Sequence, residues 1–217
     1  SVCEEKPVRR PLADWDVVHI LLREGRWSMV SLASQVFIAT CLSMSGMNVA
    51  DDPQSAEESV LEPLTGPRVV REVPSWNARF VQHCGYWSCY DHRAKESAWP
   101  FPSGLTLREL TEFAEAQGVL CETPEPGDLY VTYSPVERTF VHTGAVVDIE
   151  GSGRMDGRLY FDLYTVEADI NRDGERGGGR TMRTHRRVWP GNGDRFIRWS
   201  DLVREEQLGV ARIRSVS

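Results

Sequence analysis

The feature that most constrains this chain is a series of short segments in its second half that alternate between apolar and polar residues or run apolar. Gly, Pro or Asp residues separate the segments, which cover residues 128–133, 139–149, 158–166, 181–189 and 196–199. Such runs between turn-forming residues are typical of β-strands, and short connections favour antiparallel neighbours. The second half of the chain is therefore predicted to form an antiparallel sheet.

Helical spacing precedes these strands. Apolar residues recur at helical intervals in residues 76–86 and again in residues 106–117. The second of these segments begins with Thr106 and carries Glu109 three residues later, which is the pattern of a capping box. Helices followed by antiparallel strands predict an α+β fold.

The first third of the chain has a different character. Two helices are predicted there, at residues 14–25 and 27–44, and residues 51–67 are acidic and rich in Pro and Gly, which is typical of a linker or a long surface loop. We therefore divide the chain into an N-terminal helical segment with an acidic linker (1–66) and a main domain (67–217).

The charge balance limits the partners of this protein. The formal net charge is -7, which argues against general nucleic-acid binding because that function needs an excess of Lys and Arg. One arginine-dense stretch could still form a local basic strip. Its spacing is more typical of the solvated face of a strand, and its members are Arg180, Arg183, Arg186 and Arg187.

Membrane spans and disulfides are not expected. Residues 29–47 form the most apolar stretch, but Ser, Thr and Gln interrupt it, as in a buried helix. The first residues of this chain lack the basic start and apolar core of a signal peptide. The five cysteines are an odd number, spread irregularly through 217 residues, which does not fit a disulfide framework.

Three groups of motifs carry the chemistry. They read Trp-Asn-Ala-Arg-Phe-Val from Trp76, Pro-Gly-Asp from Pro126 with His-Thr-Gly-Ala-Val from His142, and Glu-Ala-Asp from Glu167. In this order and separation they resemble the CHAP and NlpC/P60 families of cysteine amidohydrolases, over about residues 70–200. In those families the first motif carries the nucleophilic cysteine where this chain has asparagine.

The resemblance implies a role for each matching residue. Asn77 occupies the nucleophile position, His142 is the base, and Glu167 orients the histidine. Asp169 stands where the family usually has Asn, and its carboxylate could also hold an imidazole. Trp76 and Asn171 are expected to contact substrate.

The resemblance also implies a fold and a substrate class. The fold is papain-like, of the NlpC/P60 type, with N-terminal helices packed beside an antiparallel sheet and a small helical segment in front. The expected partner is a cell-wall peptide or peptidoglycan fragment, and no cofactor is implied. A family role of this kind implies secretion or the cell envelope.

The residue at position 77 decides whether the usual reaction can occur. A thiol attacks a carbonyl carbon as thiolate, and a helix N-terminus favours that negative charge. Asn77 has a delocalised amide nitrogen and no ionised form, so it cannot form the thioester intermediate. Asn is a good N-cap residue and could stabilise the helix start instead. The chain is therefore predicted to be inactive, as a pseudoenzyme or an inactivated variant.

Two alternatives remain open. Cys84 lies two helical turns after Asn77 and could replace the nucleophile, although a mid-helix thiol is more typical of a small core residue. The chain could instead be a non-enzymatic binding module whose N-terminal helices, within residues 12–47, dock a protein partner.

Two clusters contain residue types that bind metal ions. The first fits no common zinc spacing and contains His83, Cys84, Cys89 and His92. The second copies the opening of a calcium loop, with Arg180 where the loop requires Glu, so it is at most a weak calcium candidate or a polar turn. Its candidate ligands are Asp169, Asn171 and Asp173. No metal is expected at the main site.

Overall fold

The computed structural model describes residues 30–45, 75–91, 94–170 and 180–204. The predicted helix at residues 14–25 and the acidic linker at residues 51–67 lie outside the described residues. Within the described residues the chain forms three α-helices and an antiparallel sheet. The predicted α+β class is confirmed.

The helices are α1 (Leu32–Ser43), α2 (Trp76–Ser88) and α3 (Leu107–Ala116). The capping box predicted for α3 is confirmed, because the Thr106 hydroxyl accepts the Glu109 N–H while the Glu109 carboxylate accepts the Thr106 N–H. Two of the four N–H groups that a helix start leaves unpaired are satisfied in this way.

In the part of the chain that the structure describes, eight strands form two sheets. A small pair consists of β1 (Tyr90–Asp91) and β2 (Glu96–Ser97). The main sheet has six antiparallel strands in the spatial order β3-β8-β4-β5-β6-β7. Its members are β3 (Leu120–Cys121), β4 (Leu129–Ser134), β5 (Thr139–Met155), β6 (Arg158–Ile170), β7 (Arg180–Val188) and β8 (Arg195–Ile197).

The main sheet is curled, and buried side chains project from both of its faces. The rings of Phe161 on β6 and Phe196 on β8 meet edge to face at 6.0 Å, although β4 and β5 lie between their strands. Together with Tyr130, Val146 and Leu163 they fill the inside of the curl. The three helices cover the opposite face, so side chains that alternate along one strand enter two different parts of the core.

Helix α1 packs into the same core as the rest of the described chain. Nine of its 12 residues are buried, and Phe37 contacts the rings of Trp99 and Trp199 at 6.1 and 5.3 Å. The boundary placed at residue 66 lies outside the described residues and stays a prediction. The helix that precedes this boundary nevertheless shares its core with the predicted main domain.

The Pro-Gly-Asp turn before β4 is held against α1. Gly127 has φ +97°, and a Cβ at this position would lie 2.3 Å from the Cβ of Ser34. The Trp199 indole N–H donates to the Gly127 carbonyl at 2.8 Å, and the Gly127 N–H donates to Val146. Only glycine provides both the backbone conformation and the space that this contact requires.

Expectations about membranes and disulfides can be compared with the described part of the chain. None of its helices combines the length and the apolar character that crossing a membrane requires. Its cysteines are free thiols, and they are Cys41, Cys84, Cys89 and Cys121.

The contact of Gly85 with Trp99 predicts a large effect from a small substitution. Gly85→Ala would place a Cβ 2.3 Å from the Trp99 ring, and overpacking of a core costs about 1–3 kcal/mol. We expect thermal unfolding to show a melting temperature lower by several degrees, at roughly 2–4 °C per kcal/mol for a chain of this size.

Gly151→Ala is the matched control, because a Cβ at Gly151 meets nothing within 4 Å. It should leave the melting temperature close to that of the native chain. Equal melting temperatures for the two variants would contradict the packing described for α2.

Candidate active site

Asn77 lies at the start of α2, as its second residue. The N-cap is Ser75, two residues earlier, so Asn77 does not have the N-cap position that was expected of it. The Ser75 hydroxyl makes no capping bond to the helix backbone but donates to the Asn77 Oδ1 at 2.7 Å. Asn77 is 3% exposed, and its side chain points away from solvent towards β5.

The Asn77 amide meets His142 on β5. The distance from Asn77 Nδ2 to His142 Nδ1 is 2.9 Å, and His142 Nε2 lies 2.8 Å from Glu167 Oε2. A carboxylate oxygen only accepts hydrogen bonds, so the ring proton is on Nε2. In the neutral ring Nδ1 then carries the lone pair, which accepts the Asn77 N–H.

The carboxylate of Glu167 is the most completely satisfied group of the site. It is 0% exposed. Besides His142 it accepts hydrogen bonds from the Thr165 hydroxyl at 2.6 Å and from two nitrogens of the Arg186 guanidinium at 2.8 to 3.0 Å. Glu167 therefore joins β5, β6 and β7 through one buried charge.

These donors keep Glu167 ionised. Burial alone would raise the pKa of this carboxyl group, because it penalises the charged form. The hydrogen bonds from His142 and Arg186, together with the positive charge of Arg186, outweigh burial and hold the pKa at about 2. Glu167 is therefore a hydrogen-bond acceptor for His142 throughout the ordinary pH range.

Gly144 in the His-Thr-Gly motif makes this arrangement possible. A Cβ at position 144 would lie 2.7 Å from Glu167 Cγ and 2.7 Å from Tyr130 Cε1. Gly144 pairs with Tyr130 on one side and with Glu167 on the other. The motif needs glycine because the side chains of both neighbouring strands occupy the space above it.

Of the other predicted site residues, Asp169 and Trp76 have described positions, and neither is a hydrogen-bond partner of the imidazole. The ring nitrogens of His142 bond to Asn77 and Glu167, and Asp169 is not among their partners. Asp169 has φ +65° at a register irregularity between β6 and β7, and Asn and Asp are the residues that tolerate this conformation best. Trp76 is partly buried beside the helical core. Asn171 lies outside the described residues.

Two residues that complete the site, Arg186 and Thr165, lie outside the motifs. Arg186 was assigned to a solvated strand face, but it lies on the inner face of β7 and contacts Glu167, with 28% of its side chain exposed. Arg183 and Arg187, which are exposed, lie on the opposite face of β7, because successive side chains of a strand point to opposite faces. Thr165 stands two residues before Glu167 and so shares its face of β6.

Cys84 is embedded in the core. Its side chain is fully buried, and its thiol lies 3.6 Å from the sulfur of Met44. It is also a neighbour of the Cys41 thiol, whose pKa is raised first by burial and then by Cys84. This is the environment of a small core residue, as the mid-helix position suggested.

The metal candidates gain no support among the residues with described positions. No group of three or more His, Cys, Asp or Glu side chains there could hold a metal ion. His92 of the zinc candidate lies outside the described residues. Asn171 and Asp173 of the calcium candidate lie outside them as well.

The polar bridge through Asn77 should contribute to stability. Asn77→Ala removes the donor to His142 and the acceptor of Ser75, and leaves a buried imidazole nitrogen without its partner, which costs about 1–3 kcal/mol. Ser75→Ala removes only the partly exposed end of the bridge and should cost about 0.5–1.5 kcal/mol. Urea unfolding of the two variants measures both effects. An Asn77→Ala variant as stable as the native chain would contradict the bridge.

His83 predicts a loss of stability in acid. Burial lowers the pKa of His83 from 6.5 to about 4, so the folded chain resists protonation of this ring more than the unfolded chain does. The resulting stability is present above pH 6.5 and is lost as the pH falls through about 4, by roughly 3 kcal/mol in total.

His83→Leu should therefore flatten the fall in the free energy of unfolding between pH 6.5 and 4. Chemical unfolding at a series of pH values makes the comparison. A His83→Leu profile as steep as the native one would contradict the assignment.

Comparisons with known proteins complete the description of this site. Neither protein-family models, nor curated proteins, nor solved structures give a match to this chain. The motifs, and the geometry that connects Asn77, His142 and Glu167, are therefore the basis for inferring the function of this chain.

Proposed function

We propose that this chain carries the papain-like scaffold of a Cys/His amidohydrolase, of the CHAP and NlpC/P60 kind, in a form that does not hydrolyse its substrate. One observation carries the proposal. The side chain at the start of α2 is hydrogen bonded to one ring nitrogen of His142, and a buried carboxylate holds the other. Residue 77 therefore stands where such a hydrolase needs its nucleophile.

The geometry suits a thiol at position 77. A group at the second residue of α2 lies close to the unpaired N–H groups of the helix start, which favour a negative charge. Its proton would pass to His142 Nδ1, because Nε2 already carries the proton that binds Glu167. The thiolate would then attack a carbonyl carbon, and the leaving amine would take the proton back from His142.

The amide of Asn77 blocks this sequence twice. Its nitrogen has no free electron pair for attack on a carbonyl. It also donates a hydrogen bond to the lone pair on His142 Nδ1, so the base itself is occupied. The site retains the shape of a catalytic centre but lacks both an attacking atom and a free proton acceptor.

The arrangement of helices and strands supports the same scaffold. Helix α2 precedes the sheet in the chain and packs against β5 and β6, which carry His142 and Glu167. The expected ligand is a peptide or amide of the cell wall, which the chain would bind without turnover. This ligand follows from the resemblance in the motifs.

The two alternatives receive less support. A protein partner docking on α1 would find few available side chains, since nine of the 12 residues of that helix are buried. A hydrolase that uses Cys84 would need access to a thiol that is fully buried beside Met44. We therefore retain the inactive amidohydrolase scaffold as the function that the geometry supports best.

Asn77→Cys tests the proposal directly. We expect this variant to release free amines from peptidoglycan or muropeptides while the native chain releases none. Asn77→Cys with His142→Ala is the control that keeps the thiol and removes the base, and it should release no more than the native chain.

A second measurement reports on the scaffold without any substrate. The pH dependence of iodoacetamide labelling at position 77 should have its midpoint about two units or more below the ordinary thiol value of about 8.5, and His142→Ala should restore the ordinary value. An ordinary midpoint that does not depend on His142 would overturn the scaffold. A lowered midpoint without amine release would instead refute the cell-wall substrate.

A further inference from the structure

Arg186 reaches the candidate site from β7, the last strand in the order of the main sheet. Its guanidinium donates to both oxygens of Glu167, from Nε at 2.9 and 3.0 Å and from Nη2 at 2.8 Å. The carboxylate is completely buried, whereas the Arg186 side chain is 28% exposed. Arg186 thus connects the innermost charge of the site with the surface of the protein.

We propose that Arg186 is the positioning residue that sets the tautomer of His142 through Glu167. The inference rests on the proposed function, because it concerns the readiness of the same base. Arg186 is not proposed to contact substrate. It acts on the carboxylate that in turn holds the imidazole.

The first step concerns the orientation of the carboxylate. A guanidinium is a planar fork that matches the two oxygens of a carboxylate, so it restrains rotation of that group. With Arg186 on both oxygens and the Thr165 hydroxyl on Oε1, Oε2 is left facing His142 Nε2 at 2.8 Å. Glu167 is fixed in the orientation that the histidine requires.

The second step concerns the charge of the carboxylate. Without Arg186, the buried Glu167 would lose its fixed positive partner, and burial would raise its pKa because no such charge would oppose it. A protonated carboxyl group can donate as well as accept. It would no longer require the ring proton to stay on Nε2.

The third step links the tautomer to position 77. Only the ring protonated at Nε2 presents a lone pair on Nδ1 towards the start of α2, where Asn77 now lies at 2.9 Å. The other tautomer would present an N–H to position 77, which cannot accept a proton from a thiol. Arg186 therefore makes His142 competent as a base indirectly, through its hydrogen bonds to Glu167 and the hydrogen bond between Glu167 and His142.

Arg187 provides a matched control on the same strand. It also forms a two-point contact with a carboxylate, that of Asp162, at 2.7 and 2.8 Å. This pair is exposed on the outer face of the sheet, and Arg187 also lies over the ring of Tyr160. Arg187 and Arg186 differ in the face of β7 that they occupy and in their access to Glu167.

The experiment is nitrogen-15 NMR of the histidine rings in the native chain and in its arginine variants. The native His142 ring should show a single tautomer protonated at Nε2, with a slowly exchanging Nε2 proton. Arg186→Gln should give a mixture of tautomers or loss of that proton signal, and Arg186→Lys, which keeps the charge without the fork, should lie between. Arg187→Gln should leave the spectrum of His142 unchanged.

The same substitutions in the Asn77→Cys chain give a second readout. Arg186→Gln should lower the rate of iodoacetamide labelling at position 77 about tenfold or more at neutral pH, and Arg187→Gln should not. If Arg186→Gln does not fold, Arg186→Lys decides by the same two measurements.

Each result has a definite meaning. The inference would be overturned if the folded Arg186 variants kept a single His142 tautomer and an unchanged rate of iodoacetamide labelling at position 77. An Asn77→Cys chain that releases no amine would count against the proposed cell-wall substrate. It would leave the tautomer result in the native chain as it stands.

Discussion

A single buried negative charge, that of Glu167, organises the centre of this protein. A carboxylate without water is strongly unfavourable unless donors surround it, and here the donors come from three neighbouring strands: His142, Thr165 and Arg186. Satisfying the charge orients the imidazole, and the imidazole in turn fixes the amide of Asn77. The polar chain from the sheet to the start of α2 is a consequence of solvating one charge with protein groups.

Local features of the fold were predictable, and features that depend on register were not. The capping box of Thr106 and Glu109 involves residues three apart, so the sequence contains all of it. Strand β5 continues to Met155, six residues beyond its predicted end, because pairing with β6 extends it. The prediction ended earlier because Glu150 to Met155 have no apolar alternation. The Asp156-Gly157 turn, with φ 51° and 76°, was the available signal for this hairpin.

The candidate site divides along the same line. The order of the motifs pointed to Asn77, His142 and Glu167, although no local pattern determines a contact between residues 65 positions apart. Arg186 could not be assigned because its partner depends on which face of β7 points inward, and that follows from the pairing of β6 with β7. Asp169, two positions after Glu167, lies at an irregularity of the same pairing and has a positive φ.

The requirement for glycine at position 144 comes from the packing of the neighbouring strands and not from the residue at position 77. Reaction chemistry makes no demand on this residue, yet a phenol ring and a carboxylate chain fill the volume that any larger side chain would need. Steric exclusion thus maintains the outline of this centre independently of the residue at position 77. On the proposed scaffold, the shape of the centre is a product of packing, and the difference between a silent and a working copy would be confined to the atoms of one side chain.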